Sequence, residues 1–247
     1  MAEDLSPLER YRLDLQGYLL FESVLEPQLR GRLLEAIAAQ HLPPPGRSIP
    51  SQRFGTHGRL FDWDEGFAEL VDHPLVLAVL RELIGPHVRL DHAYGIAMDA
   101  GTEGLGLHGP AMPFDPAQYY LTRAGQPRSG LLSFSWALSD GRPGQGGFGC
   151  IPGSHRSERP IPEGAESLVV EVAQPAGSLL VFTEALVHCT LAWQGPSQRL
   201  VILYKYSPGN SAWDPSPAAS ESALAAMPPA RRELFQPPSV GAHRSVF

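Results

Sequence analysis

Nine histidines are spread along this 247-residue chain, and imidazole is the side chain best suited to hold a transition metal or move a proton near neutral pH. Most of them have an ordinary explanation. His41, His57 and His243 fall in polar, loop-like stretches and read as solvated. His73 precedes Pro74 at a helix start, His87 follows that helix, and His155 in Cys150-Ile-Pro-Gly-Ser-His-Arg156 reads as a turn residue. His92 lies in a strand-like run, where it and its neighbour Asp91 are expected on opposite faces. Two histidines stand apart. His108 ends a glycine-rich approach, Gly101-Thr-Glu-Gly-Leu-Gly-Leu-His108, which lacks the strand–GxGxxG–helix context of a nucleotide loop. His188 lies just beyond the apolar run Gly177-Ser-Leu-Leu-Val-Phe182, in Thr183-Glu-Ala-Leu-Val-His-Cys-Thr190. Taken singly, either is more often structural than a metal ligand; the motifs around them change that.

The elements that must position these residues divide the chain into a helical and a β-rich part. After Glu26-Pro27, the residues Leu29, Leu33, Leu34 and Ile37 fall on one helical stripe, with Pro27 at a first-turn position where its missing N–H is tolerated. A second helix is expected from Pro74, with Leu75, Val76, Val79, Leu80, Leu83 and Ile84 inward and Gly85 closing it. Residues 1–86 therefore read as helical, interrupted by a Pro-, Gly-, Ser- and Arg-rich loop over 41–60. From Val88 the pattern becomes strand-sized runs, 88–98, 130–138, 168–173, 178–182 and 199–206, separated by Gly/Pro turns. Such punctuation suits a sandwich, barrel or jelly roll better than alternating β/α units. The tail, 211–247, reads as loop with a short helix around Glu221–Met227. Together these make one domain: a helical part over 1–86, a β core over 87–210 and the tail.

Composition limits the partners. Net charge is −7, from 19 basic and 26 acidic residues, and no Lys/Arg cluster offers a footprint for nucleic acid. The acidic start lacks a signal peptide's basic and apolar regions, and no apolar run approaches the ~20 residues of a membrane helix. Two cysteines, Cys150 and Cys189, fit a reducing compartment better than a disulfide framework. A cytoplasmic protein is expected, with neither nucleic acid nor membrane as partner.

The ordered motifs carry a resemblance. Gly17-Tyr-Leu-Leu-Phe21 precedes a helix; then come the strand ending near His108, Trp136-Ala-Leu-Ser-Asp140, Gly146-Gly-Phe-Gly-Cys-Ile-Pro-Gly-Ser-His155, Gly177-Ser-Leu-Leu-Val-Phe182, His188 and Arg199. The series, over residues 13–208, resembles the phytanoyl-CoA dioxygenase family of non-haem iron, 2-oxoglutarate-dependent oxygenases. The resemblance implies a mainly β double-stranded β-helix (jelly roll, cupin-like) with flanking helices. It implies Fe(II), 2-oxoglutarate and O2 as the cofactor and co-substrates. His108 matches the family's first iron ligand and His188 the distal one. Arg199 matches the arginine that pairs with 2-oxoglutarate, a planar fork facing a carboxylate. Thr190 matches a hydroxyl that helps hold the same molecule, and Trp136 is a candidate for the pocket wall or an ordinary core aromatic.

One residue breaks the pattern. The family's carboxylate stands two residues after the first histidine, and here that position is Pro110. Three outcomes stay open. Another carboxylate takes the place, Glu184 being the best candidate because it lies four residues before His188, and Asp115 a weaker one. A halide fills it, which would make the protein an iron/2-oxoglutarate halogenase. Or the site is degenerate and the jelly roll only binds a metal or ligand. The leading expectation is a hydroxylase of an unactivated C–H bond, with iron on His108, His188 and Glu184. The loop 41–60, Met112–Arg128 and the tail are expected to frame the substrate entrance. Arg53, Arg59 and Arg123 could meet an anion there, solvated arginines being the ordinary reading. Substrate identity and oligomeric state are not legible.

Overall fold

The computed structural model describes residues 4–46, 53–110, 112, 114–216, 218–241 and 245–246; His243 and residues 47–52 of the long loop lie outside that set. Helix α1 (Pro7–Gln16) begins at a capping box, in which the Ser6 hydroxyl accepts from the Glu9 N–H and the Glu9 carboxylate accepts from the Ser6 N–H. Gly17, at φ 83°, ends the helix and turns the chain into strand β1 (Tyr18–Phe21). Helix α2 (Pro27–Ala38) follows, then β2 (Arg53–Phe54), the short helices α3 (Leu60–Trp63) and α4 (Gly66–Glu69), and α5 (Pro74–Leu83). Both α2 and α5 form where apolar periodicity predicts, each with proline in its first turn, where no intrahelical donor is lost.

The β part comprises β3 (Val88–Met98), β4 (Leu105–His108), β5 (Tyr120–Arg123), β6 (Gln126–Ser129), β7 (Leu132–Ala137), β8 (Gly147–Cys150), β9 (Val170–Glu171), β10 (Leu179–Thr183), β11 (His188–Leu191) and β12 (Arg199–Pro208). The tail adds α6 (Glu221–Ala226) and α7 (Pro229–Arg232). Antiparallel pairing builds a six-stranded sheet in the order β1-β10-β7-β12-β3-β2 and a four-stranded sheet in the order β4-β11-β8-β9. This is the expected jelly roll with flanking helices. Alternation along the central strands assigns the faces. Phe134, Trp136, Ile202, Tyr204 and Tyr206 join the helix-side core with Leu33, Phe67, Val79 and Leu80, while Tyr94, Ile96, Met98, Val201 and Leu203 form a separate cluster on the other face.

Several sequence expectations need correction. The first 86 residues are not helical throughout, because β1 and β2 complete the large sheet at its two edges. Residues Gly147–Cys150, not among the expected strands, form β8, and His188, which lies beyond β10 as expected, opens a further strand, β11. Glycine-rich segments have weak intrinsic strand preference; here β8 is held by ladders to β11 and β9 on both sides. Of residues 168–173 only Val170–Glu171 is strand, after a 3-10 turn over Ala165–Leu168. The hairpin β5–β6 was not anticipated.

Asp91 and His92 do not face apart. The β3–β12 ladder pairs His92 with Lys205 but Leu90 with Tyr206, so Asp91 is an inserted bulge residue. A bulge breaks strict alternation, and His92 Nδ1 sits 2.6 Å from Asp91 Oδ1. Asp91 is fully buried and also accepts from Arg89, Ser207 and the backbone N–H groups of Trp213 and Asp214. The bulge thereby ties the tail to the barrel.

Candidate active site

The two histidines singled out in the sequence meet across the four-stranded sheet. His108, at the end of β4, is the register partner of His188 at the start of β11, and their ring centroids are 4.1 Å apart. Each ring is oriented through the backbone: His108 Nδ1 lies 2.9 Å from the Gly106 carbonyl and His188 Nδ1 2.7 Å from the Leu186 carbonyl. A carbonyl only accepts, so both Nδ1 atoms carry a proton and each Nε2 is the nitrogen left to face a metal, the arrangement metal-ligating histidines adopt. Burial, with a smaller contribution from His108, pulls His188 down to about 4 against the opposing pull of Glu184. It is therefore neutral at pH 7, as a metal ligand must be.

Glu184 occupies the turn between β10 and β11. Its Oε1 takes a hydrogen bond from Lys205 Nζ at 2.7 Å and another from the Ser133 hydroxyl, while Oε2 is 4.0 Å from His188 Nε2. With His188 neutral that last contact is no ion pair; it leaves one carboxylate oxygen facing the imidazole nitrogen. Among the described residues no three His, Cys, Asp or Glu side chains group closely enough to hold a metal by themselves. Asp115 is committed elsewhere, its Oδ1 accepting from the Ala117 and Gln118 N–H groups in a local turn.

Arg199, Thr190, His108 and His188 line one small cavity of about 80 Å³, together with Arg53, Tyr94, Ser135 and Lys205. Arg199 is only 7% exposed. Its Nη2 donates to Gln174 Oε1 at 3.2 Å and Nη1 lies 3.6 Å from Met98 Sδ; among the described residues it has no carboxylate partner. Burial lowers its pKa to about 10, so it stays charged at pH 7. A buried, uncompensated guanidinium is costly and is accounted for if an anion binds there. Gly147, at φ 92°, makes room for it: a Cβ there would lie 2.8 Å from Arg199 Nε. Gly147→Ala is expected to displace the guanidinium and weaken 2-oxoglutarate binding by roughly tenfold or more, with metal affinity little changed, as calorimetry of each titration would show.

Trp136 takes the second of the two places expected for it, that of a core aromatic. It is fully buried on the helix side of β7, its ring edge-on to His73 at 5.2 Å. The cavity side of β7 carries instead the alternate residues Ser133 and Ser135, which the Leu-Ser-Phe-Ser-Trp-Ala alternation of 132–137 could have disclosed. Lys205, also not foreseen, alternates with Tyr204 and Tyr206 in the same way. His155 is structural: Nε2 lies 3.1 Å from the Asp14 carbonyl, and a Cβ on Gly17 would come within 2.6 Å of Nδ1. The PGSH turn thus clamps α1 to the barrel.

A model of the family described as Phytanoyl-CoA dioxygenase (PhyH) matches residues 13–201. No curated protein matches in sequence. Among solved structures, HygX from Streptomyces hygroscopicus with nickel and 2-oxoglutarate bound is 22% identical, with a TM-score of 0.73 over 89% of this chain and 94% of that one. HygX with iron bound is 21% identical, with a TM-score of 0.72 over 90% and 94%. HygX with nickel, 2-oxoglutarate and hygromycin B bound is 21% identical, with a TM-score of 0.72 over 89% and 94%.

Proposed function

The chain belongs to the phytanoyl-CoA dioxygenase family of iron- and 2-oxoglutarate-dependent oxygenases, and on that premise we propose that it hydroxylates an unactivated C–H bond of a small organic molecule. The observation that carries this reading is Arg199, buried with no carboxylate partner among the described residues, in the cavity that also holds two imidazoles whose Nε2 atoms are available. A degenerate pocket has no use for that charge.

Two imidazoles and a buried guanidinium fit the cofactor set, while the third iron donor is not preformed. Fe(II) would be held by His108 and His188 through Nε2, and Glu184 Oε2, 4.0 Å from His188 Nε2, would have to move inward to take the place of the carboxylate that Pro110 cannot supply. Arg199 would hold the distal carboxylate of 2-oxoglutarate, and Thr190 would stand beside it. When bound, iron and O2 supply the oxidising chemistry while 2-oxoglutarate is decarboxylated to succinate. The chain's own share is positional. The Gly106 and Leu186 carbonyls fix the imidazole tautomers, Lys205 and Ser133 fix one oxygen of Glu184, and Phe148 and Phe182 shield His188 with ring centroids 5.9 and 5.0 Å away.

One observation favours a second reading, halogenation. Lys205 neutralises Glu184, so the histidine pair lacks an uncompensated negative donor, and a halide would provide one. The two readings separate in one experiment. Anaerobic protein with Fe(II) and 2-oxoglutarate should develop a weak visible charge-transfer band, lost in His108→Ala and in His188→Ala. If the wild type gives no band, the oxygenase reading fails. A band that shifts on adding chloride favours the halide; one that is insensitive to chloride but altered by Glu184→Gln favours the carboxylate. Among the described residues no helix is long and apolar enough to cross a membrane. Both cysteines are free and buried, which supports the cytoplasmic setting proposed from composition.

A further inference from the structure

The cavity wall opposite Arg199 carries cationic and aromatic groups that the iron and 2-oxoglutarate chemistry does not use. Successive register pairs of β12 and β3 run along the cavity face: Arg199 with Met98, Val201 with Ile96, Leu203 with Tyr94, and Lys205 with His92. Met98 and His92 are six residues apart, roughly 20 Å along a strand. The rungs therefore read cationic, apolar, apolar, cationic. At the far end Lys205 is already neutralised by Glu184. Arg53 is not: among the described residues no carboxylate pairs with it. It comes from the edge strand β2, opposite Ile96, and its guanidinium carbon stands 4.4 Å over the Tyr94 ring. Gly95 is what lets β2 lie so close, since a Cβ there would be 2.0 Å from the Phe54 ring.

His92 stacks on the same tyrosine, with centroids 5.8 Å apart and planes 10° from parallel. Asp91 holds its Nδ1, which fixes the ring against Tyr94. A second cavity of about 160 Å³, lined by Arg53, His57, His92, Tyr94, Asp214 and Ser216, shares Arg53 and Tyr94 with the first. The one carboxylate there, Asp214, accepts from the Ser216 N–H at 2.7 Å.

We infer that this wall recognises the substrate, and that the substrate is a small amphipathic anion. Its carboxylate or phosphate sits on Arg53 beside His92, and its apolar portion lies along Leu203, Ile96 and Leu105 toward His108 and His188. This rests on reading the histidine pair as the iron site. A guanidinium presents a planar fork to either anion, the tyrosine face holds the fork flat before anything binds, and a cationic ligand meets like charge.

The test is calorimetry on anaerobic Ni(II)-loaded protein saturated with 2-oxoglutarate, so that Arg199 is occupied, with octanoate, octyl phosphate, octylamine and octanol as probes. One or both anions should bind at least roughly tenfold more tightly than octylamine or octanol, and whichever binds better identifies the head group. Arg53→Gln should abolish the preference and Arg53→Lys should retain part of it, while 2-oxoglutarate binding stays unchanged in both. No measurable anion binding, equal binding of all four probes, or a preference that survives Arg53→Gln would overturn the inference. The same titrations on metal-free protein keep the two readings apart. If Ni(II) and 2-oxoglutarate fail to bind but the Arg53-dependent preference persists, the iron reading falls and the anion wall stands.

Discussion

Arg199→Ala is expected to weaken 2-oxoglutarate binding by at least about a hundredfold, with Fe(II) affinity in the absence of 2-oxoglutarate within about threefold of wild type. The guanidinium is buried, and the described residues offer it only Gln174 Oε1 and the Met98 sulfur. Its remaining donors are therefore available to the proposed co-substrate. Truncation also leaves the bound carboxylate desolvated without a counter-charge, which is why the loss should exceed that of a surface ion pair. Arg199→Lys keeps the charge but not the planar fork and should fall between the two. Separate anaerobic titrations of metal and 2-oxoglutarate provide the check. Equal losses of both ligands would mean that Arg199 supports the fold of the site and does not hold the co-substrate.

Lys205→Met should destabilise the metal-free protein by about 3–5 kcal/mol, measured by urea unfolding, because it strands the carboxylate of Glu184 in a buried site. Lys205 Nζ and Glu184 Oε1 are 2.7 Å apart with side chains only 12% and 4% exposed. Replacing both partners, Lys205→Met with Glu184→Leu, should recover much of the loss, since an apolar pair of similar volume carries no desolvation penalty. A single mutant within about 1 kcal/mol of wild type would mean that the pair is solvated, as exposed pairs are. The pH dependence follows from the same geometry. Burial pushes the Glu184 carboxyl up, but Lys205, His188 and Ser133 outweigh it and hold the group at about 2, below its ordinary 4.5. An unfolded chain binds that proton near 4.5, so the contribution is complete above that pH and is lost as the pH falls through about 2. The double mutant should lack this component of acid unfolding.

What the sequence determined by itself was the architecture and the chemical types at the site. Proline-led helices at 27 and 74, the long apolar strands at 88–98 and 199–206, and the order Gly-rich approach, PGSH turn, GSLLVF run and arginine were enough to indicate a helix-flanked jelly roll. The helices and strands were legible because periodicity and turn chemistry are local properties that a chain displays before it folds, whereas His108, His188 and Arg199 were singled out by the family resemblance that the ordered motifs carry. The tertiary structure decided where each side chain points. Whether Trp136 or Ser135 faces the cavity depends on which face of β7 the helices cover. Whether His92 and Asp91 meet depends on one inserted residue in a ladder to a strand more than a hundred positions away. Glu184 could be named from its spacing to His188, but its pairing with Lys205 could not, because that contact joins the turn after β10 to the middle of β12. Arg53, one solvated arginine among several in the sequence, comes to line the cavity over Tyr94 only when β2 docks on Gly95. Such contacts are set by strand register, and register is fixed by the packing of the whole sheet.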